Sequence, residues 1–264
     1  MLPVGMHGKM RLANLIYSQD YRARECTIRL SNGSFLQSPN LLEPVAFNLF
    51  IDGVYEPLTM RFLTLFAGSN STFIDVGANI GAFSIPLARR FSRVLAIEAS
   101  PRVLVYLRRN VSLNKLDNVS VVPCAASKPG VDSVPLYIPP DKSFGMASSA
   151  PQFHAEPISV PAISIDSLIN ESPEIKVSVI KVDTEGFEAD VFLGAKNLLC
   201  RPDAPPIIFE FCDWAESRCF SPGAAQRALL SFGYRLWTIE EYFSNGSSLR
   251  SPLVSGSYSL VAMK

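Results

Sequence analysis

The sequence is short of charge. Only 18% of its 264 residues are Asp, Glu, Lys or Arg, against about 25% in an average globular protein. Disordered chains are charge-rich and core-poor, so this composition, with 48% hydrophobic residues, argues for a packed core. A chain of this size buries about three-quarters of its unfolded surface and needs no covalent staple. Lys plus Arg number 24 and Asp plus Glu number 24, leaving no net charge. Proteins that neutralise the phosphates of a duplex carry a basic excess, so no nucleic-acid partner is expected. Histidine is scarcer still. His7 and His154 are the whole supply, which excludes a three-histidine catalytic metal site. The cysteines, Cys26, Cys124, Cys200, Cys212 and Cys219, are odd in number and form no C-x-x-C pair. That argues against a zinc ribbon or a disulfide framework and for free thiols in a reducing cytoplasm. No apolar run approaches the roughly 18–20 residues of a membrane helix. The opening MLPVGMHGKMRLANLIYSQDYR has no unbroken apolar core of about 7–15 residues and does not read as a signal peptide.

What is present is a pattern in two parts. Residues 1–70 read as an N-terminal extension packed on the main domain. It holds a hairpin over residues 27–37, with Asn32-Gly33 as a type I′ turn pair. Helical or irregular segments broken by Pro44 and Pro57 follow as a lid. Residues 71–264 read as the main domain. Strands are expected at 72–76, 94–97, 119–122, 177–182, 207–211, 234–239 and 258–263. Between them lie a helix over 80–91 kinked at Pro86 and a helix opened by Ser100-Pro101 with Val103, Leu104, Leu107 and Val111 on one face. Two more follow, one through Val191, Phe192, Ala195, Leu198 and Leu199, the other capped by Ser221-Pro222 and ended by Gly233. Residues 129–165 are a strand-rich, Pro-rich insertion. Alternation of strand and helix implies a mostly parallel sheet covered on both faces. The last two strands are joined by a loop over 240–257 without helical pattern and should pair antiparallel. The fold class is thus α/β, a Rossmann-like seven-stranded sheet with an antiparallel C-terminal strand.

The densest signal is Phe73-Ile-Asp-Val-Gly-Ala-Asn-Ile-Gly-Ala82. A buried strand runs into Gly77, turns through Ala78 and Asn79, and enters a helix near Gly81. Gly77 allows a tight turn, Asn79 tolerates a left-handed backbone, and Gly81 leaves room for a ligand. The next strand ends at Glu98, about 20 residues after the first glycine, where such folds hold ribose hydroxyls. A dinucleotide loop reads G-x-G-x-x-G around a pyrophosphate. Here the spacing is G-x-x-x-G, with the acid Asp75 two residues upstream. A carboxylate there suits a cationic ligand such as S-adenosylmethionine, which carries a sulfonium and an ammonium.

A second dense segment is Ile180-Lys-Val-Asp-Thr-Glu-Gly-Phe-Glu188, at the strand edge where open α/β sheets bind ligands. It gathers Lys181, Asp183, Glu185 and Glu188 in a charge-poor chain. Glu210 ends the neighbouring strand and should face the same cleft. One of Glu185 and Glu188 is expected simply to favour a helix N-terminus.

Together these residues resemble the FkbM family of S-adenosylmethionine-dependent methyltransferases. The matching pieces are Tyr55-Glu56-Pro57, residues 73–81, Ala96-Ile-Glu98, Asn110, Asn114, residues 165–168, residues 181–188 running to Gly194-Ala195, Phe209-Glu210 and Gly233-Tyr234. The K-x-D-x-E-G-x-E run and the Y-E-P element are its most specific parts. The resemblance implies the class I methyltransferase fold, S-adenosylmethionine as cofactor and methylation of a hydroxyl on a sugar or polyketide-type molecule.

On that footing Asp75 and the Gly77–Gly81 backbone, Ala78 and Asn79 included, should hold the methionine end of the cofactor. Glu98 should take the ribose, and Cys124 to Ala126, with Ala125 central, the adenine. Asp183 is the expected general base and His154 the second candidate. Glu56, Lys181, Glu185 and Glu210 should line the cleft for a small-molecule or glycan acceptor. Asp183 and Glu210 could offer Mg²⁺ hard oxygen ligands. An ion pair between Lys181 and one of these acids is the preferred reading, with no metal. Rival classes are a nicotinamide-dependent oxidoreductase and a non-catalytic Rossmann-like binding protein.

Overall fold

The computed structural model describes residues 9–151, 156–171 and 175–264. Its main sheet has seven strands: β1 (Gly68–Val76), β2 (Phe91–Ile97), β3 (Val119–Val122), β4 (Val177–Val182), β5 (Ile207–Cys212), β6 (Arg235–Thr238) and β7 (Ser257–Met263). Their spatial order is β6-β7-β5-β4-β1-β2-β3. Strand β1 pairs parallel with β2 and β4, β3 with β2, and β5 with β4. Strand β7 runs antiparallel between β5 and β6. This is the expected Rossmann-like class I arrangement. The order reverses between β1 and β4, so their C-terminal ends open a crevice.

Successive residues of each strand point to opposite faces, and the chain places an apolar core on each. Phe73, Val94, Ala96 and Val179 join one core with Leu36, Phe47, Leu49 and Phe62 from the N-terminal segment and Val103 and Leu107 from the helix Pro101–Leu113. Ile74, Leu95, Ile97, Ile180 and Phe209 join the other, with Val191, Phe192, Leu198 and Leu229. Burial on both sides is why β4 reads as the mostly apolar run VSVIKV and not as an alternation of apolar and polar residues.

The N-terminal hairpin pairs Cys26–Arg29 with Phe35–Ser38. It is docked by two asparagines one turn apart, Asn110 in the helix Pro101–Leu113 and Asn114 at its C-cap. Asn110 accepts from the Gln37 amide at 2.6 Å and donates to the Gln37 carbonyl at 3.1 Å. Asn114 repeats the pattern on Phe35 at 2.8 and 2.7 Å. Two side-chain amides thus stand in for an edge strand, satisfying main-chain groups that burial would otherwise leave unpaired.

Several local expectations need correction. The hairpin turn is not type I′. Gly33 (φ 87°) has a positive φ but Asn32 does not, and the Gly33 amide donates to the Leu30 carbonyl, so the loop is a three-residue turn closed by a left-handed glycine. The helix expected over 80–91 shrinks to Ser84–Leu87 and a 3₁₀ turn Ala88–Arg90, because Gly81 at φ 95° delays its start and β2 already begins at Phe91. Ser100 is the N-cap of Pro101–Leu113 by position only; its side chain makes no cap hydrogen bond. The helix expected from Ser221-Pro222 starts at Ala224, with Gly223 at its N-cap. The face from Val191 to Leu199 is split into Glu188–Leu193 and Lys196–Leu199. The loop before β7 contains a short helix, Ile239–Phe243, started by a capping box between Thr238 and Glu241. The insertion folds as Ser133–Leu136 antiparallel to Ile158–Ile163, which also meets Ala125–Ala126. Among the described residues, no helix is long and apolar enough to cross a membrane.

Candidate active site

A cavity of about 260 Å³ opens at the C-terminal ends of β1, β2, β4 and β5. The glycine loop forms one wall. At Gly77 (φ 72°) a Cβ would lie 1.8 Å from the Asp183 carbonyl oxygen, so the two strand ends touch only because that side chain is absent. The Gly77 and Ala78 amides both donate to the Ile97 carbonyl at 3.0 Å, tying the loop to β2. Asn79 is left-handed (φ 53°), and its main-chain amide donates to Glu98 Oε2 at 2.9 Å. Glu98 Oε1 accepts from the Ser100 amide at 2.8 Å. Burial pushes the Glu98 carboxyl up from its ordinary range, and these two amides oppose that shift. A carboxylate has about four acceptor sites. Glu98 lines the cavity with two of them committed to main-chain amides, leaving capacity for ligand hydroxyls.

The opposite wall carries Asp183, Glu185 and Glu210, whose carboxylate oxygens lie within 4.8 Å of one another. Asp183 follows β4, where its amide donates to the Val76 carbonyl at 3.1 Å. Glu185 (φ 57°) and Gly186 (φ 102°) form a left-handed turn. A Cβ at Gly186 would meet the Ala215 carbonyl at 2.4 Å. Glu188 holds that turn from below, accepting from the Thr184 amide at 2.7 Å and the Thr184 hydroxyl at 2.9 Å. It is therefore the acid that serves the helix start, and burial pushes it up to about 7. Repulsion from Asp183 and then burial push Glu210 up to about 9. Burial and then Asp183 push Glu185 up to about 8. Three acid oxygens at this spacing have the reach to ligate a hard cation. Lys181 provides a cation already: its Nζ lies 3.3 Å from Asp183 Oδ2.

The structure brings together Gly77, Asn79, Glu98, Ala125, Glu56, Asp183, Glu185 and Glu210 on the cavity lining. It does not bring Asp75, Ala78, Gly81 or Lys181 to it. Asp75 is fully buried, accepting from the Ser84 hydroxyl at 2.6 Å and lying 3.5 Å from Lys181. Its register partner across β1 and β4 is Lys181, so it points at that ammonium and not at a ligand. Gly81 serves packing: a Cβ there would meet Ile85 at 2.6 Å and Leu107 at 3.2 Å. Ala78 contributes a main-chain link to β2. His154 lies outside the described residues.

Several lining residues escaped the sequence reading. Glu43 caps the helix Pro44–Asp52 through the Ala46 amide at 2.7 Å and faces the cavity. The segment from Gly145 to Ser149, inside the insertion, forms part of the lining. A Cβ at Gly145 would lie 2.3 Å from the Asn79 side chain, so that glycine lets the insertion rest on the loop. Ser148 donates to the Glu185 carbonyl at 2.9 Å. Tyr55 also lines the cavity; burial, then Glu56 and Asp183, hold its phenol well above the usual range, so it is a donor and not a base.

A family model described as the methyltransferase FkbM domain matches residues 75–236. The chain is similar to methyltransferase 1 of Beauveria bassiana (strain ARSEF 2860), 25% identical over 168 residues, which cover 55% of this chain and 64% of that protein. It is also similar to the tRNA/tmRNA (uracil-C(5))-methyltransferase of Idiomarina loihiensis, 40% identical over 63 residues, 24% of this chain and 17% of that one. It thus spans less than two thirds of the length of these curated relatives. Among solved structures it is similar to methyltransferase FkbM from Methylobacillus flagellatus KT, with TM-score 0.45 and 19% identity over 73% of this chain and 44% of that one. M. jannaschii TYW2 in complex with AdoMet also matches, with TM-score 0.45 and 14% identity over 91% and 85%.

Proposed function

From its membership of the FkbM methyltransferase domain family, we propose that the chain transfers the methyl group of S-adenosylmethionine to a hydroxyl of a small acceptor, a sugar or polyketide-type molecule. The observation that carries this reading is Glu98, a buried carboxylate at the end of β2 that is anchored by two amides and still lines the cavity. Its remaining acceptor sites suit a ribose diol. Gly77, without a side chain, and the left-handed Asn79 line the same wall. Cys124, Ala125 and Ala126 add a small apolar surface where a purine would lie. Carboxyl oxygens of the opposite wall can accept from the cofactor's ammonium. The residues present therefore fit the cofactor.

S-adenosylmethionine supplies an activated methyl group for in-line displacement. The chain's part is to hold an acceptor oxygen in line and remove its proton. Asp183 is the base in this reading, since it lines the cavity at the end of β4 with the Lys181 ammonium 3.3 Å away. Glu56, Glu185 and Glu210 accept or share hydrogen bonds with further acceptor hydroxyls. Tyr55 offers a phenolic donor. The segment from Gly145 to Ser149 covers part of the cavity and limits water. The acceptor is not RNA in this reading. The charged lining residues among those described are Glu43, Glu56, Glu98, Asp183, Glu185 and Glu210, and the chain has no net charge. The five free cysteines suit the cytoplasm.

Titration calorimetry tests the cofactor. S-adenosylmethionine and S-adenosylhomocysteine should bind and NAD should not; NAD binding alone would revive the oxidoreductase class. Labelled S-adenosylmethionine offered with neutral glycosides, hydroxylated polyketides and total RNA tests the acceptor. Label on a hydroxyl compound supports the proposal, and label confined to RNA overturns it.

A further inference from the structure

Lys181 is a charged side chain inside the sheet that the cavity does not expose. It is 6% exposed, on β4, opposite Asp75 of β1 in the parallel register. Its ammonium donates to the Gly77 carbonyl at 2.9 Å. It lies 3.3 Å from Asp183 Oδ2 and 3.5 Å from Asp75 Oδ1. The Phe83 ring sits beneath it, 5.5 Å from Nζ to centroid. Burial alone would pull the ammonium down, but Asp183, Asp75 and Glu56 outweigh it and hold it charged.

Each partner has its own anchor. Asp75 Oδ2 accepts from Ser84, while Oδ1 accepts no hydrogen bond among the described residues and faces the Lys181 charge. Gly77 and Asp183 touch across the cavity, at a contact that a Cβ at Gly77 would destroy. A single ammonium therefore spans the seam between the glycine loop and the β4 end. An ammonium has three donors, and here they face Asp75, the Gly77 carbonyl and the Asp183 carboxylate, which lie on both sides of the seam. Fixing both loops before a ligand arrives lowers the ordering cost of binding.

We propose that Lys181 is a positioning residue: its ammonium ties the Gly77 carbonyl to the Asp183 carboxylate and so sets the two walls that grip the cofactor. The inference rests on the cofactor reading above. Removing Lys181 alone leaves Asp75 buried without its counter-charge, and that variant is liable to unfold. The test is therefore the pair Asp75→Asn/Lys181→Met, which removes both charges together, with Asp75→Asn alone as the control. Affinity for S-adenosylhomocysteine is read by calorimetry and folding by the thermal midpoint. The expected result is a double variant that melts near the wild type yet binds S-adenosylhomocysteine roughly 10- to 100-fold more weakly, the range for lost hydrogen bonds to a charged group. The Asp75→Asn control should bind nearly as the wild type does. Wild-type affinity in a folded double variant overturns the proposal and leaves Lys181 as a counter-charge for Asp75. A double variant that does not fold also overturns it, because the network would then be structural first. Failure of the wild type to bind S-adenosylhomocysteine defeats the cofactor reading instead.

Discussion

On the β2 side of the cavity, Glu98 meets two main-chain amides supplied by Asn79 and Ser100, residues within 19 positions of it. On the β5 side, Glu210 meets other carboxyls: Asp183 and Glu185 from the β4 end, and Glu56 from the N-terminal segment. The first wall is a set of satisfied hydrogen bonds around one loop. The second is a set of like charges brought together by the sheet from distant parts of the chain. A wall of the first kind binds by shape and prepaid hydrogen bonds. A wall of the second kind holds protons and exchanges them. Under the proposed function the first wall would take the ribose, and the second would face the reacting centre and the acceptor. That division can be broken by substitutions that should affect one side and spare the other.

The largest effect is expected at Asp183. Asp183→Asn keeps the side-chain shape, the Val76 main-chain bond and an oxygen that can still accept from Lys181, so the tie to Gly77 persists and cofactor affinity should hold. Turnover should fall about 10²–10⁴-fold, the usual worth of a general base. Parallel calorimetry and methyl-transfer assays check this. Lost affinity with unchanged turnover at saturation would move Asp183 to the cofactor side. Normal turnover would remove it from the chemistry, with His154 the next base to test.

Next comes the seam. Gly77→Ala places a Cβ 1.8 Å from the Asp183 carbonyl, at a φ of 72°. Backbone must move on both walls, and the cost should be about 3 kcal/mol or more. Gly33→Ala is the internal control. It has a similar φ of 87° but nothing within 4 Å of the new atom. It should lose only about 1–2 kcal/mol, the left-handed penalty alone. Chemical denaturation of both variants separates close approach from backbone conformation. Equal losses would mean that the walls do not depend on this contact.

The cofactor wall was the more legible in sequence, because its information is local. A buried strand, a glycine, a left-handed asparagine and an acid at the end of the next strand lie within some 25 residues. Even there, spacing alone gives Asp75 and Gly81 to the ligand, while the structure gives them to Lys181 and to Ile85 and Leu107. Spacing reveals that a residue sits at the loop, but not which way it points; that follows from the β1–β4 register, which joins residues 106 positions apart. Glu43 and the segment from Gly145 to Ser149 were invisible for the same reason. Nothing local distinguishes them, and tertiary packing alone brings them to the cavity. Asn110 and Asn114 carried a signal of another kind. Two asparagines one turn apart on an otherwise apolar helix face are costly unless they pair, and here they bind the hairpin.

A smaller effect belongs to Glu98. Glu98→Ala removes the acceptor for the Asn79 and Ser100 amides and for the expected ribose. Cofactor affinity should weaken by roughly 1.5–3 kcal/mol, the range for hydrogen bonds to a charged group. Turnover at saturating cofactor should change little. A large loss of turnover at saturation would blur the line between the walls.

The smallest effect tests whether the second wall holds protons. The ordinary value of a glutamate is 4.5, and in the fold Glu210 is pushed up to about 9 by Asp183 and by burial. Below the ordinary value both the folded and the unfolded chain carry the proton, and the contribution to stability is fully present. As the pH rises toward 9 the unfolded chain releases its proton while the folded chain keeps it, so this contribution is progressively lost. Glu185, pushed up to about 8, acts in the same direction. The thermal midpoint of the wild type should therefore decline between about pH 5 and pH 9. Glu210→Gln cannot ionise and retains a hydrogen-bond donor. Its midpoint should decline less steeply over the same window, with the two curves converging at the acid end after allowance for a constant offset. Parallel curves would mean that Glu210 ionises with its neighbours already separated, and the acceptor wall would then be a solvated rim, not a proton-holding cluster.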